Sequence, residues 1–173
     1  FLMLWIVPIC AREFRNNLQL MLTYWFVIFL HQGVAFTHVF LFPTIGASAD
    51  AHGMHSTAAL IAKHEIFRFS NEKEAIILGD VFFENILGAI YWIFGPSLML
   101  SQQLSICAFS ISCVVLVKIL YQMELSRYRL SILLVFGALP TMVFLGSLSL
   151  RESYQIVFFM LAVYFGLKMH ITG

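Results

Sequence analysis

Charge is what this chain has least of: Asp, Glu, Lys and Arg make up 11% of its 173 residues, against 61% hydrophobic and 16% aromatic. Soluble domains carry about a quarter charged residues, so a water-exposed globular surface is excluded. The net charge is only +1. No basic stretch interleaved with aromatics stands outside the apolar segments, which sets nucleic acid aside as a partner. Cysteine is scarce too. Cys10, Cys107 and Cys113 lie within or beside apolar segments, where cysteine behaves as a small hydrophobe, and say nothing of a redox compartment. No internal repeat or low-complexity tract is present. The apolar stretch 1–10 has no basic region before it and is followed by Arg12 and Arg15, so it reads as the end of an upstream helix rather than a signal peptide. With an apolar run at each end and no initiator Met, the chain is expected to be a fragment of a longer one.

What is present is a series of apolar runs. Residues 18–43 hold no Asp, Glu, Lys or Arg. As a helix they would reach about 39 Å, more than a hydrocarbon core of about 30 Å. Residues 97–121, broken only by Lys118 near one end, form a second span, 130–150 a third and 153–171 a fourth. The expected architecture is therefore all-α and integral to a membrane, a single transmembrane module over 1–173. Only Arg151 and Glu152 separate the last two spans, so these are expected to pair as a tight antiparallel hairpin with a charged tip. Pro140 is expected to kink the third span, and Gly137 to ease close packing there.

Lys and Arg at span ends favour the cytoplasmic side. Placing Arg12, Arg15, Lys118, Arg127, Arg129 and Lys168 inside leaves Lys63, Arg68, Lys73 and Arg151 outside, three of them in one long loop. Acidic residues gather opposite, with Asp50, Glu65, Glu72, Glu74, Asp80, Glu84 and Glu152 outside. The outer loop, 44–96, is expected to carry one or two helices lying at the interface. One is 55–65, weakly amphipathic; the other is 81–95, where Tyr91 and Trp92 favour the headgroup region. Residues 71–74 read as a solvated connection between them.

The densest polar cluster, SADAHGMHSTAALIAKHE, puts Asp50, His52, His55, His64 and Glu65 just outside the first span. A partly shielded carboxylate there can take a proton from a hydroxyl or amine nucleophile. Asp50 would serve equally as the N-cap of the helix that follows. Asp50, His52 and His55 are also chemically able to bind a divalent metal, although their spacing matches no strong zinc signature. His31 and His38, seven apart on one face of the first span, read as packing residues. Arg151, at the end of two spans, is placed to hold a phosphate or carboxylate bidentately; its plainer role is an interface anchor paired with Glu152. Arg68 and Lys63 are further cations for a phosphate, or simply solvated.

Three stretches carry a family resemblance. DAHGMHSTA at 50–58, AIYWIFGPSLMLSQQLSICAFS at 89–110 and ALPTMVFLGSLSLRES at 138–153 resemble, in order and spacing, the N-terminal half of the polyprenyl-phosphate-sugar-dependent glycosyltransferases of the GT-C superfamily. The likeness is to the protein O-mannosyltransferase and aminoarabinose transferase branch, over residues 18–168. It departs at Met54, where the family usually has an aromatic, and at Ala51, where many members have a second acidic residue. The resemblance implies a GT-C-like module. It also implies inverting transfer of a sugar from a lipid-linked phosphate donor, on the non-cytoplasmic side of a plasma (inner) membrane. Asp50 then matches the loop carboxylate that acts as base or orients the acceptor, and His55 a neighbouring polar position. Arg151 matches the outer end of a span, where geometry would put the lipid phosphate, with Arg68 as a second donor-phosphate contact. Partners would be membrane lipid, the polyprenyl-phosphate sugar and other membrane subunits. Two readings stand beside this one: a non-catalytic scaffold or lipid-binding subunit with the same fold, and a metal-dependent membrane enzyme using Asp50, His52 and His55.

Overall fold

A computed structural model of the chain describes residues 8, 11–42, 48–64, 78–148 and 151–172. Among these there are helices and no strand. A single turn, α1 (Arg12–Arg15), precedes α2 (Leu18–Phe40). Asn17 caps α2 by accepting the Leu20 amide on its Oδ1 at 2.9 Å, which satisfies one of the donors a helix start leaves open. Then come α3 (Ser48–His64), α4 (Leu78–Phe94) and α5 (Leu98–Gln122). After a short turn at Ser126–Tyr128 follow α6 (Arg129–Ala138), α7 (Pro140–Ser147) and α8 (Glu152–Thr172).

Leu18–Phe40, Leu98–Gln122 and Glu152–Ile171 are long and apolar enough to cross a membrane, and the pair α6–α7, bent by 66°, makes a fourth span if taken as one. The cause of the bend is Pro140. It has no amide proton to continue the ladder, and it pushes Leu139 before it out of the helical region, to φ −57° and ψ 129°.

Buried Leu20, Tyr24, Val27, His31, Ala35 and His38 of α2 recur every three or four positions and form one stripe, with Ile28 buried beside it. The opposite face carries exposed Leu22, Phe26, Phe29, Phe36 and Phe40, a surface suited to lipid rather than water. The stripe packs on α5, α6 and α7, with Ile106, Phe109, Cys113 and Leu133 completing the core. Two polar pairs cross between α2 and α5. Tyr24 hydrogen-bonds Ser110, and the amides of Gln32 and Gln103 exchange two hydrogen bonds at 2.8 and 2.7 Å.

The last helix differs from the expected hairpin. α8 lies chiefly along α5 and only touches α7. The bend at Pro140 turns α7 out of line, so the chain returning through Arg151 and Glu152 meets the second span rather than the third.

α3 and α4 pack together as a pair whose contact is built on small residues. Ala58 is fully buried against Leu87 and Tyr91, with Ala62 beside them. A methyl group added at Gly88 would lie 2.8 Å from Ile61 Cγ2 and 3.3 Å from the Ala58 carbonyl oxygen. Gly88→Ala is therefore expected to force the two helices apart at a cost of about 1–2 kcal/mol, the usual penalty for overpacking. Thermal unfolding in detergent checks this: the midpoint should fall, and Gly88→Ala should cost less when made in an Ile61→Ala background than in the wild-type chain.

Candidate functional site

The α3–α4 pair closes one end of the bundle. Tyr91 and Leu87 of the pair pack near Leu100 and Leu104 of α5, and Phe83 meets Tyr154 of α8 with ring centroids 5.1 Å apart. At the start of α3, Ala51 is buried on Leu148, with Leu145 beside it. That contact holds the first turn of α3 against the junction of α7 and α8.

Asp50, His52 and His55 thus stand on a helix that begins at Ser48, rather than in a loop ahead of a helix from residue 55. Asp50 falls in the first turn and is not the N-cap. Its carboxylate is exposed and complements the positive end of the helix dipole. His52 is exposed, and its ring centroid lies 5.3 Å from that of His38 at the end of α2. His31 and His38 do share the buried face of α2.

His55 is the most firmly held member of the group. The Tyr91 hydroxyl donates to the Ser97 carbonyl oxygen at 3.0 Å, so its remaining capacity is to accept, and it does so from His55 Nδ1–H at 2.7 Å. This arrangement selects the tautomer whose Nε2 carries a lone pair. Burial, and secondly the neighbouring His52, depress the His55 pKa below the ordinary 6.5, which favours the neutral ring. Ser97 is fixed in turn as the cap of α5, its Oγ accepting the Leu100 amide at 3.4 Å. Gly95 takes a left-handed φ of 85° to make the sharp turn from α4 that brings Ser97 under Tyr91. Glu84, half-buried on α4, has its pKa raised by desolvation.

At the start of α8, Arg151 Nε lies 3.9 Å from Glu152 Oε1, with both side chains 39% exposed. A contact this long and solvated is worth at most about 1 kcal/mol. Lys63 is exposed near the end of α3. Arg68, Glu65 and the connection 71–74 lie outside the described residues.

Among the described residues no three His, Cys, Asp or Glu side chains converge on a point that could hold a metal ion. The helix explains this: positions two apart, such as Asp50 and His52, face roughly opposite directions, and His55 gives its Nδ1 to Tyr91. As placed on α3, Asp50, His52 and His55 do not form a divalent-metal centre.

The sequence reading did not foresee Tyr91 as an orienting group, having placed it as an interface aromatic. The only local sign was the Gly95-Pro96-Ser97 turn a few residues on, which carries no chemistry until the chain is folded.

Fold and site together define, over the described residues, an all-helical protein with spans of membrane-crossing length and a pair of shorter helices closing one end of the bundle. No protein-family model, curated protein or solved structure matches the chain.

Proposed function

We propose that the chain is the module of an inverting glycosyltransferase that uses a polyprenyl-phosphate sugar on the outer side of the membrane, and that the α3–α4 end is its active end. The observation that carries the reading is the contact of Ala51 with Leu148, which brings the turn bearing Asp50 to the junction bearing Arg151. A carboxylate and a guanidinium at one end of an apolar bundle are what such a transfer needs. The acceptor's oxygen or nitrogen bonds to the anomeric carbon, the bond from that carbon to the phosphate oxygen breaks, and the acceptor's proton passes to Asp50. The departing polyprenyl phosphate takes the electron pair, and its charge meets Arg151. His55, neutral and presenting Nε2, accepts a hydrogen bond that orients the acceptor. The polyprenyl chain stays in lipid throughout, beside the exposed apolar helix faces.

The test is transfer of labelled sugar from a synthetic polyprenyl-phosphate hexose to acceptors in a membrane fraction by the purified protein. Arg151→Ala is expected to raise the donor KM about ten- to a hundredfold, the worth of a charge-assisted bidentate contact. A donor KM that does not move would remove Arg151 from the site.

A further inference from the structure

At the opposite end of the bundle lies a polar cavity. It has a volume of about 390 Å³ and is lined by Arg12, Glu13, Asn16, Asn17, Tyr121 and Arg129, from α1, the start of α2, the end of α5 and the start of α6. Its lining carries both signs of charge, two arginines and one glutamate. Arg129 Nε, a donor, and Glu13 Oε2, an acceptor, are both buried, and neither has a hydrogen-bond partner among the described residues. The Arg129 guanidinium is held in place by Nη1 donating to the Ser126 carbonyl oxygen at 3.0 Å, with Cζ 5.6 Å from the centre of the Tyr121 ring. Burying such groups unpaired costs about 1–3 kcal/mol each, more where they are charged.

On the same two helices, just along from Asn17 and Arg129, an apolar furrow of about 470 Å³ runs between Leu22, Thr23 and Phe26 of α2 and Leu130, Ser131 and Leu134 of α6. On α2 the furrow begins at Leu22, about 7.5 Å past Asn17 along the helix, and on α6 at Leu130, next to Arg129, so furrow and cavity are continuous.

We propose that this end is a phospholipid site whose headgroup carries both a phosphate and a primary ammonium, as in phosphatidylethanolamine, with an acyl chain in the furrow. The phosphate pairs with the guanidinium groups of Arg12 and Arg129 and the ammonium with the Glu13 carboxylate, so one ligand answers both signs of charge in the lining. A purely anionic headgroup answers the arginines and leaves Glu13 buried beside added negative charge. A trimethylated headgroup has no N–H to give. The assignment is independent of the sugar-transfer reading and concerns the other end of the molecule.

Native mass spectrometry of the full chain in detergent, titrated with phosphatidylethanolamine, phosphatidylcholine or phosphatidylglycerol of matched acyl chains, tests it. The ethanolamine lipid should be retained about tenfold more tightly than either of the others, the worth of one charge-assisted hydrogen bond. Glu13→Gln should bring the ethanolamine lipid down to the level of the choline lipid, and Arg129→Gln should weaken all three. Soluble glycerophosphoethanolamine should compete only at far higher concentration, because it cannot fill the furrow. Equal retention of the ethanolamine and choline lipids, retention of the glycerol lipid as tight as the ethanolamine one, or a preference that survives Glu13→Gln would overturn the proposal. So would soluble headgroup competing as well as intact lipid.

Discussion

Asp50→Asn is expected to reduce sugar transfer by about two to four orders of magnitude, the usual contribution of a positioned general base, while the fold stays as it is. The asymmetry between the two effects follows from where Asp50 sits. Its side chain is exposed in the first turn of α3, and the contact anchoring that turn is made by Ala51 instead. Removing the charge loses only its interaction with the helix dipole, about 0.3–1 kcal/mol at an exposed site. Transfer measured with the labelled donor, beside a thermal melt of the same preparation, separates the two. A variant that keeps more than a tenth of wild-type transfer would end the assignment of Asp50 as base. The pH profile adds a second reading, because orientation of the acceptor requires neutral His55. Its pKa lies below 6.5, so the ring is neutral at pH 7, and the rate should hold level on acidification past 6.5 before falling as the ring takes up a proton. The same group contributes to stability in the same sense. The unfolded chain binds the proton more readily, so that contribution is full above 6.5 and lost as the pH falls through the depressed value.

Helix content and the location of the apolar spans were legible because both are one-dimensional properties. A run without charge from 18 to 43 has to be buried or in lipid, and a helix is the one unbranched way to satisfy its backbone there. Pro140 was legible as a bend for the same reason, since its chemistry acts on its own neighbours. Partner choice between helices was not legible. The two-residue gap at Arg151 and Glu152 suggested that the last spans pair, yet the 66° bend directs α8 onto α5, and no sequence period encodes the size of that angle. The candidate site divides along the same line. Asp50 and His55 stand out as titratable residues beside a span. The link from His55 through Tyr91 to Ser97 joins residues 36 and 6 positions apart through a turn whose geometry exists only after α4 and α5 have packed. The start of α3 at Ser48 was missed because Gly53 and a polar composition weaken any local helix signal, and the burial of Ala51 on Leu148 outweighs them.

The other large effect belongs to the core and does not depend on any reading of function. Gly146→Ala is expected to lower the unfolding midpoint by roughly 5–10 °C, from about 2–3 kcal/mol of lost stability at this chain length. A methyl group at Gly146 would stand 2.6 Å from both Cε1 and Nδ1 of His31 and 2.8 Å from Phe109 Cγ. Neither ring can yield cheaply. His31 donates from Nε2 to the Gly137 carbonyl oxygen at 3.0 Å and stacks on Phe109 at 4.2 Å, while Phe109 stacks on Phe136 at 5.3 Å. Moving the imidazole breaks a buried hydrogen bond to a carbonyl, and moving Phe109 disturbs the contact between α5 and α6. The added methyl therefore acts on three helices at once. A control is available in α8, where a methyl at Gly166 would meet nothing within 4 Å, so Gly166→Ala should leave the midpoint unchanged or raise it slightly. The decisive comparison is the double variant His31→Ala with Gly146→Ala. Once the imidazole is gone, the Gly146 methyl has room, and the second substitution should cost far less than it does alone. Additive losses would show that the imidazole is not what the methyl collides with, and would place the cost of Gly146→Ala at Phe109 alone.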